Sequence, residues 1–327
     1  MRLFALGASL LMTACGAAAD TPLPLGPPRV AGALQPIAVT ATPVPLNARD
    51  PAQVRVGQLV YAGGVALSAP GASRLAGLSD LTLGRDGRLK AVTDHGDLFQ
   101  ARLVLDARGR LTGLAGATLS ALRDETGRIA ASKSDADAEG ITELRDGRLA
   151  IAFEGRPRVL AYANPLRAPK PLPAPGPEAR LPPNAGLEAI SSLDDGFLVG
   201  AEGGQVWRCQ APEGCRNAGV FGDRLKPPYG FRLTGLREHG LTTFALHRAY
   251  DPFQGMRTEI LAVEFDGHLH WHRAVLGRLE RPLVTGNFEG IAVDPRRTPT
   301  RLYLVSDNGF PHGSPTLLLA FDWVPES

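Results

Sequence analysis

The sequence predicts an all-β fold: a β-propeller of about six blades, each of four antiparallel strands, closed by strands from both ends of the chain. Three observations predict it. A register recurs, in which Glu139-Gly140-Ile141 leads to Asp146-Gly147-Arg148-Leu149, Glu188-Ala189-Ile190 to Asp195-Gly196-Phe197-Leu198, and Ser79-Asp80-Leu81 to Asp86-Gly87-Arg88-Leu89, each with an offset of seven residues. Glu289-Gly290-Ile291 repeats the start before a longer turn from Asp294 to Arg301. Each unit then runs through a short apolar strand into an acid followed by a small or polar residue: Asp94-His95, Glu154-Gly155, Glu202-Gly203 and Asp307-Asn308. Finally, long helical periodicities are scarce while the apolar content of 44% supports a full core. A domain of about 270 residues, at roughly 45 to 50 per unit, gives about six blades.

The elements follow in chain order. Met1-Arg2, an apolar stretch from Leu3 to Met12 and Thr13-Ala14-Cys15 read as a signal peptide, since the apolar run falls short of the roughly 20 residues that span a bilayer. Met12-Thr13-Ala14-Cys15 resembles the bacterial lipobox, which makes Cys15 the lipidated first residue of the mature protein; Ala17-Ala18-Ala19 before Asp20 is the rival cleavage site. Either way the chain is expected to be exported, to the periplasm or to the outer membrane as a lipoprotein, with membrane contact only through that anchor. Residues 1–19 are thus the leader, 20–52 a Pro/Ala-rich tether in which Ile37 to Thr42 can form an edge strand, and 53–327 the propeller domain, expected as a monomer. Val54 to Leu67 alternates around Gly63-Gly64, and with the apolar run Thr316 to Phe321 it should complete the closing blade. Pro165 to Pro183 holds eight prolines and reads as a polyproline II connection between blades or as a lid. Cys209 and Cys215, the cysteines that remain after Cys15, should form one disulfide pinning a hairpin in an oxidising compartment.

The repeat also makes a chemical statement. With Asp146-Gly147 as a two-residue hairpin loop, Glu139 should face Glu154, Ser79 should face Asp94, and Glu188 should face Gly203 beside Glu202. Opposed like charges in a sheet are destabilising unless a cation or a raised pKa relieves them. Rotation about the propeller axis gathers the starts of the first strands at one mouth, so Glu139, Glu188 and Glu289 should converge with Glu154, Glu202 and Asp307 behind them. Such hard oxygen donors suit Ca²⁺, with Glu139, Glu188, Glu289, Glu154 and Asp307 as the expected ligands.

One unit departs from the pattern. Around Thr234-Gly235-Leu236 it carries Thr in place of Glu and His247-Arg248 in place of an acid. That basic blade suits an anionic substrate beside a cation; the plainer reading is an outward Arg with a satisfied histidine. Asp94 or His95 is the expected general base and Arg248 the group that offsets developing negative charge. His268-Leu269-His270-Trp271-His272 sets three imidazoles on one face of a strand, either as a chelate or on the wet face of an outer strand. The net charge of +2 is spread over alternating acids and bases, without a basic run of the nucleic-acid type.

At these residues the chain resembles the phytase-like domain family, "esterase-like activity of phytase". The matching stretches include Gly77-Leu78-Ser79-Asp80-Leu81, Thr93-Asp94-His95-Gly96, Asp135-Ala136-Asp137-Ala138-Glu139-Gly140-Ile141, Phe153-Glu154-Gly155-Arg156, Asn287-Phe288-Glu289-Gly290-Ile291 and Ser306-Asp307-Asn308. The resemblance implies ester hydrolysis at the Glu and Asp residues without fixing a substrate. The Glu-Gly-Ile element also looks like that of gluconolactonase and paraoxonase propellers, where the glutamate binds a central Ca²⁺. Arg-His-Gly-x-Arg, Gly-x-Ser-x-Gly, His-Glu-x-x-His and Walker loops are absent from the sequence. The expectation is a metal-dependent hydrolase of small-molecule phosphate or carboxylic esters; the alternative is a non-catalytic propeller anchored at the envelope that binds a ligand or protein partner and uses the cation only for stability.

Overall fold

The computed structural model describes residues 33–69, 74–182, 186–267, 270–309 and 314–325. The signal peptide, Cys15, most of the tether and His268 lie outside the described residues. Five four-stranded groups account for most of the strands. Unit one comprises Leu78–Leu83, Arg88–Thr93, Asp97–Leu105 and Leu111–Ala121, and unit two Ala138–Glu143, Leu149–Phe153, Arg158–Tyr162 and Lys170–Leu172. Unit three comprises Leu187–Leu193, Gly196–Ala201, Val206–Gln210 and Gly214–Asn217, and unit four Arg232–His239, Thr242–Asp251, Gly255–Phe265 and Trp271–Leu279. Unit five is Asn287–Asp294, Arg301–Asp307 and Thr316–Trp323, with Leu59–Ser68 from the N-terminal side as its fourth strand.

The first strands lie beside one another in chain order, and that of unit five lies beside that of unit one. Five apolar clusters fill the seams: one and two share Val92, Leu98, Ile141 and Leu149, for instance, and four and five share Phe244, Leu246, Phe288 and Ile291. The expectation of about six blades therefore meets five four-stranded units among the described residues. The first strands begin at Leu78, Ala138, Leu187, Arg232 and Asn287, spacings of 60, 49, 45 and 55 residues, because units one and four carry strands of up to 11 residues.

Hairpin geometry corrects the predicted facing pairs. In unit two Leu144 N–H donates to Arg148 O and Gly147 N–H to Leu144 O, with Gly147 at φ 84°. That is a three-residue loop whose glycine sits in the left-handed region, rather than a two-residue loop. Glu143 therefore pairs with Leu149, and it is Asp137, not Glu139, whose backbone carbonyl meets Glu154 N–H. Unit one has the same turn at Gly84 to Arg88, so Gly77 rather than Ser79 faces Asp94. In unit three Leu193 pairs with Gly196, which makes Asp194-Asp195 the loop and sets Leu187 opposite Ala201, so Glu188 does not face Gly203.

Both chain ends join one unit, since Leu59–Ser68 pairs along Thr316–Trp323. Gln35–Pro36 pairs with Leu111–Ala121 and Thr40–Pro43 with Leu59–Ser68, so part of the segment read as tether lies on the sheets. Within the proline-rich segment Lys170–Leu172 forms the outer strand of unit two, a place where missing N–H groups cost no ladder bonds. Cys209 and Cys215 are disulfide-bonded across a hairpin. Among the described residues no helix is long and apolar enough to cross a membrane.

Near the axis the first strands approach closely, which explains the small residue after each Glu. A Cβ on Gly290 would meet Asp80 Cα at 2.6 Å, and one on Gly140 would meet the Glu188 carbonyl oxygen at 3.2 Å. Unit one instead places Asp80 at this position, fully buried. Its carboxylate accepts from Ile141 N–H at 2.9 Å and from Arg237 Nη2 at 3.2 Å. Arg237, also buried, donates in addition to the carbonyls of Ile291 (3.0 Å), Leu81 (2.8 Å) and Ile141 (3.1 Å). Removing one partner leaves the other charge buried and unpaired. Arg237→Leu should therefore lower the unfolding free energy by about 3–5 kcal/mol, and adding Asp80→Gly, the residue type of unit two, should recover part of that loss. Denaturant unfolding of the wild type and the two variants checks this; a loss below about 1 kcal/mol in Arg237→Leu would remove the pair as a fold determinant.

Candidate functional site: an acidic channel mouth

Each first strand carries a β-bulge at the same place. One residue is skipped in the ladder: Ser79 in unit one, Glu139 in two, Glu188 in three, Thr234 in four and Glu289 in five. A bulge bends the strand and re-aims the side chain of the extra residue, and here the polar residue sits among buried apolar neighbours such as Ala138 and Ile141. Just beyond the ends of the second strands stand Asp94, Glu154 and Glu202, while in units four and five Arg248 and Asp307 belong to the second strands themselves.

Two lysine and arginine side chains organise the acids. Lys133 lies on a one-turn helix, Lys133–Ala136, in the connection from unit one to unit two, capped by Ser132. Its Nζ donates to Asp94 Oδ2 at 2.9 Å, to the Asp94 carbonyl at 2.8 Å and to Asp137 Oδ1. His95 Nδ1 lies 2.6 Å from Asp94 Oδ1. On the other side Arg248 reaches Glu289 at 3.0 Å and Glu202 at 3.6 Å and donates to Asn287 Oδ1. The amide of Asn287 donates to Glu289 Oε1 at 2.6 Å and to Asp307 Oδ2 at 3.2 Å. Glu154 Oε1 accepts from Gly186 N–H at 3.3 Å.

The electrostatics follow from this crowding. Burial, then Glu188 and Asp137, push Glu139 well above the usual carboxylate range. Burial and then Glu154, Glu289 and Glu202 do the same to Glu188. Glu289 is pushed up to about 7, by burial first, against the pull of Arg248, and burial and Asp137 raise Glu154. Asp94 differs: burial raises it, but the close contact with the His95 ring and the charge of Lys133 outweigh that and hold it below its ordinary value. Burial works against the charge of Lys133, yet Asp94 and Asp137 hold its pKa above the ordinary one.

Asp137, Glu139 and Glu154 each offer a carboxylate oxygen, all within 4.8 Å of one another, a group that can hold a metal ion. Two oxygens on one Ca²⁺ stand at most about 5 Å apart, given bond lengths of 2.3–2.6 Å, so the donor type and spacing fit a hard cation. Of the five carboxylates expected as ligands, Glu139 and Glu154 fall in this group; Glu188 couples to Glu154 and Glu289, and Glu289 and Asp307 gather around Asn287 beside Arg248. Asp94 and His95 are in contact with each other and, through Lys133, with Asp137. Sequence reasoning missed Lys133, Asp137 and Asn287 as members of the site. Asp137 had a signal, standing two residues before Glu139 on the same side of an extended segment; Lys133, in a connection, had none. The histidine strand lies elsewhere: His270 and His272 are exposed on the edge of unit four, 3.3 and 3.1 Å from Asp266.

The sequence model of the phytase-like family, described as esterase-like activity of phytase, matches residues 73–310. A comparison with curated proteins found no match. Similar solved structures include Myxococcus xanthus glutaminyl cyclase, 16% identical over 76% of this chain and 92% of that one with a TM-score of 0.39. Another is the PQQ-bound aldose sugar dehydrogenase of Streptomyces coelicolor, 11% identical over 88% and 99% with a TM-score of 0.36. Likenesses this distant carry no argument about chemistry.

A carboxyl whose pKa is raised on folding binds its proton more tightly in the folded state, so it favours folding least at high pH. For Glu289, with an ordinary value of 4.5 and about 7 in the fold, stability should fall as pH rises from about 4.5 to 7, with Glu139, Glu188 and Glu154 acting in the same direction. Asp94, shifted the other way, loses its contribution only in acid below its ordinary 3.8. Thermal unfolding in a chelator should show a lower Tm at pH 7.5 than at pH 5, and Glu289→Gln should flatten that slope. A wild-type slope that Glu289→Gln leaves untouched would sink the assignment.

Proposed function

The chain belongs to the phytase-like family, and from that premise and the geometry of the acidic mouth we propose that it is an exported, metal-assisted hydrolase of phosphate or carboxylic esters. The observation that carries the reading is the convergence of Asp137, Glu139 and Glu154 within 4.8 Å, next to a histidine whose ring is set by a carboxylate at 2.6 Å. Export rests on the N-terminal sequence, with Cys15 as the lipid anchor or cleavage at the following alanines.

Asp137, Glu139 and Glu154 would hold the cation, with Ca²⁺ favoured by an all-oxygen donor set. When bound, such an ion supplies Lewis-acid polarisation of the ester oxygen. The chain's own residues do the rest. Asp94 keeps its charge because Lys133 and His95 both stabilise it, so it is a positioning residue rather than the base. His95, whose Nδ1 lies 2.6 Å from that carboxylate, would take a proton from the attacking water and return it to the leaving alcohol. Arg248, anchored by Glu289, Glu202 and Asn287, offers a fixed positive charge to the oxygen on which negative charge develops. Water and ester give acid and alcohol, with no oxidant or second substrate.

A specific observation favours the non-catalytic reading as well: Lys133 bridges Asp94 of unit one and Asp137 at the entry to unit two, and Arg248 joins units three, four and five, so the acids also serve to tie the units together. Calorimetry and turnover separate the two. Glu139→Gln and Glu154→Gln should weaken Ca²⁺ binding and reduce hydrolysis of aryl phosphate or acetate esters together. His95→Asn should keep the metal affinity and lower kcat by about 10²–10⁴-fold. Undiminished turnover in a chelator removes the metal from the reaction; binding of Ca²⁺ with no turnover of either ester class leaves the binding scaffold.

A further inference from the structure

At the far ends of the same hairpins, away from the acids, a cavity of about 500 Å³ opens along the seam between units three and four. Leu193, on its wall, is five residues along the strand from Glu188, roughly 17 Å at the usual rise, so the two sites are separate. The volume is in the range of small-molecule pockets, and one wall is apolar, built by Leu198, Phe221, Leu241, Phe265 and Trp271. Trp271 packs on Phe221 and Phe265 with ring centroids 4.6 and 4.9 Å apart. Leu241 remains 70% exposed, an apolar rim rather than a sealed core.

The facing wall carries like charges. Arg208 and Arg216 are direct cross-strand partners, held so by the neighbouring Cys209–Cys215 disulfide, and directly opposed like charges with Cβ atoms about 5 Å apart destabilise a sheet. Asp195 takes one end of Arg208 at 2.6 Å, and that side chain remains 40% exposed. Arg216 has no acid partner among the described residues. Glu238 also lines the cavity, and burial pushes its carboxyl towards the neutral form against the pull of Arg208 and Arg145.

We propose that this cavity binds a hydrophobic carboxylate, its acyl or aryl body against Phe221, Phe265 and Trp271 and its carboxylate on the guanidinium groups of Arg216 and Arg208. A carboxylate accepts from both guanidinium groups at once and relieves their repulsion, which neither a neutral alcohol nor an amine does. The site is independent of the ester-hydrolase reading.

Decanoate, decanol and decylamine, each below its micelle concentration, serve as probes of the full chain, followed by calorimetry and by tryptophan fluorescence. Decanoate should bind saturably and at least tenfold more tightly than decanol, and decylamine more weakly than both. Arg216→Gln, at an exposed position, should bring decanoate to the affinity of decanol, and Leu241→Glu should abolish binding of both, with melting curves and ester turnover unchanged. Equal affinity for decanoate and decanol in the wild type, no saturable binding, or binding indifferent to Leu241→Glu each overturns the proposal.

Discussion

One guanidinium ties the centre of the molecule together. Arg237, on the first strand of unit four, reaches Asp80 and the Leu81 carbonyl of unit one, the Ile141 carbonyl of unit two and the Ile291 carbonyl of unit five. A planar donor fork suits this task, because its several N–H groups diverge in fixed directions. The arrangement costs desolvation of two charges, which their mutual attraction offsets only when the remaining hydrogen-bonding groups are met. Its consequence is positional: with four first strands held about one side chain, their bulges point to a common mouth.

The mouth shows the same physics with the opposite balance. Lys133 and Arg248 are two fixed cations among eight carboxylates, Asp94, Asp137, Glu139, Glu154, Glu188, Glu202, Glu289 and Asp307. Burial first, and then like charge that no cation matches, favours the protonated forms, and Glu139, Glu188, Glu154 and Glu289 are all raised accordingly. The chain as a whole carries only +2, so this local imbalance is a matter of placement, not of composition.

Much of the fold was legible because strand, turn and strand leave a mark at short range. The recurring Glu-Gly-Ile starts, the pairing of both chain ends in one unit and the disulfide all follow from local pattern. The spacing of the units was not legible: strands of up to 11 residues in units one and four stretch the repeat beyond its expected length. Nor was the hairpin register, since a three-residue turn with a left-handed glycine and a two-residue Asp-Gly loop share the same residues and differ by one position in pairing.

The sequence by itself determined which residue types stand at the head of each strand, because a glutamate before an apolar strand and a small residue after it must both be encoded in place. It determined neither partner of the central pair, although Asp80 broke the small-residue rule openly: what makes an aspartate tolerable there is an arginine 157 residues away in the chain. The tertiary structure alone decided that Asp137 joins Glu139 and Glu154, that Lys133 reaches in from a connection, and that Arg248 serves acids of two neighbouring units. Such choices depend on distances between side chains from different strands, and burial and charge act through those distances rather than through spacing along the chain.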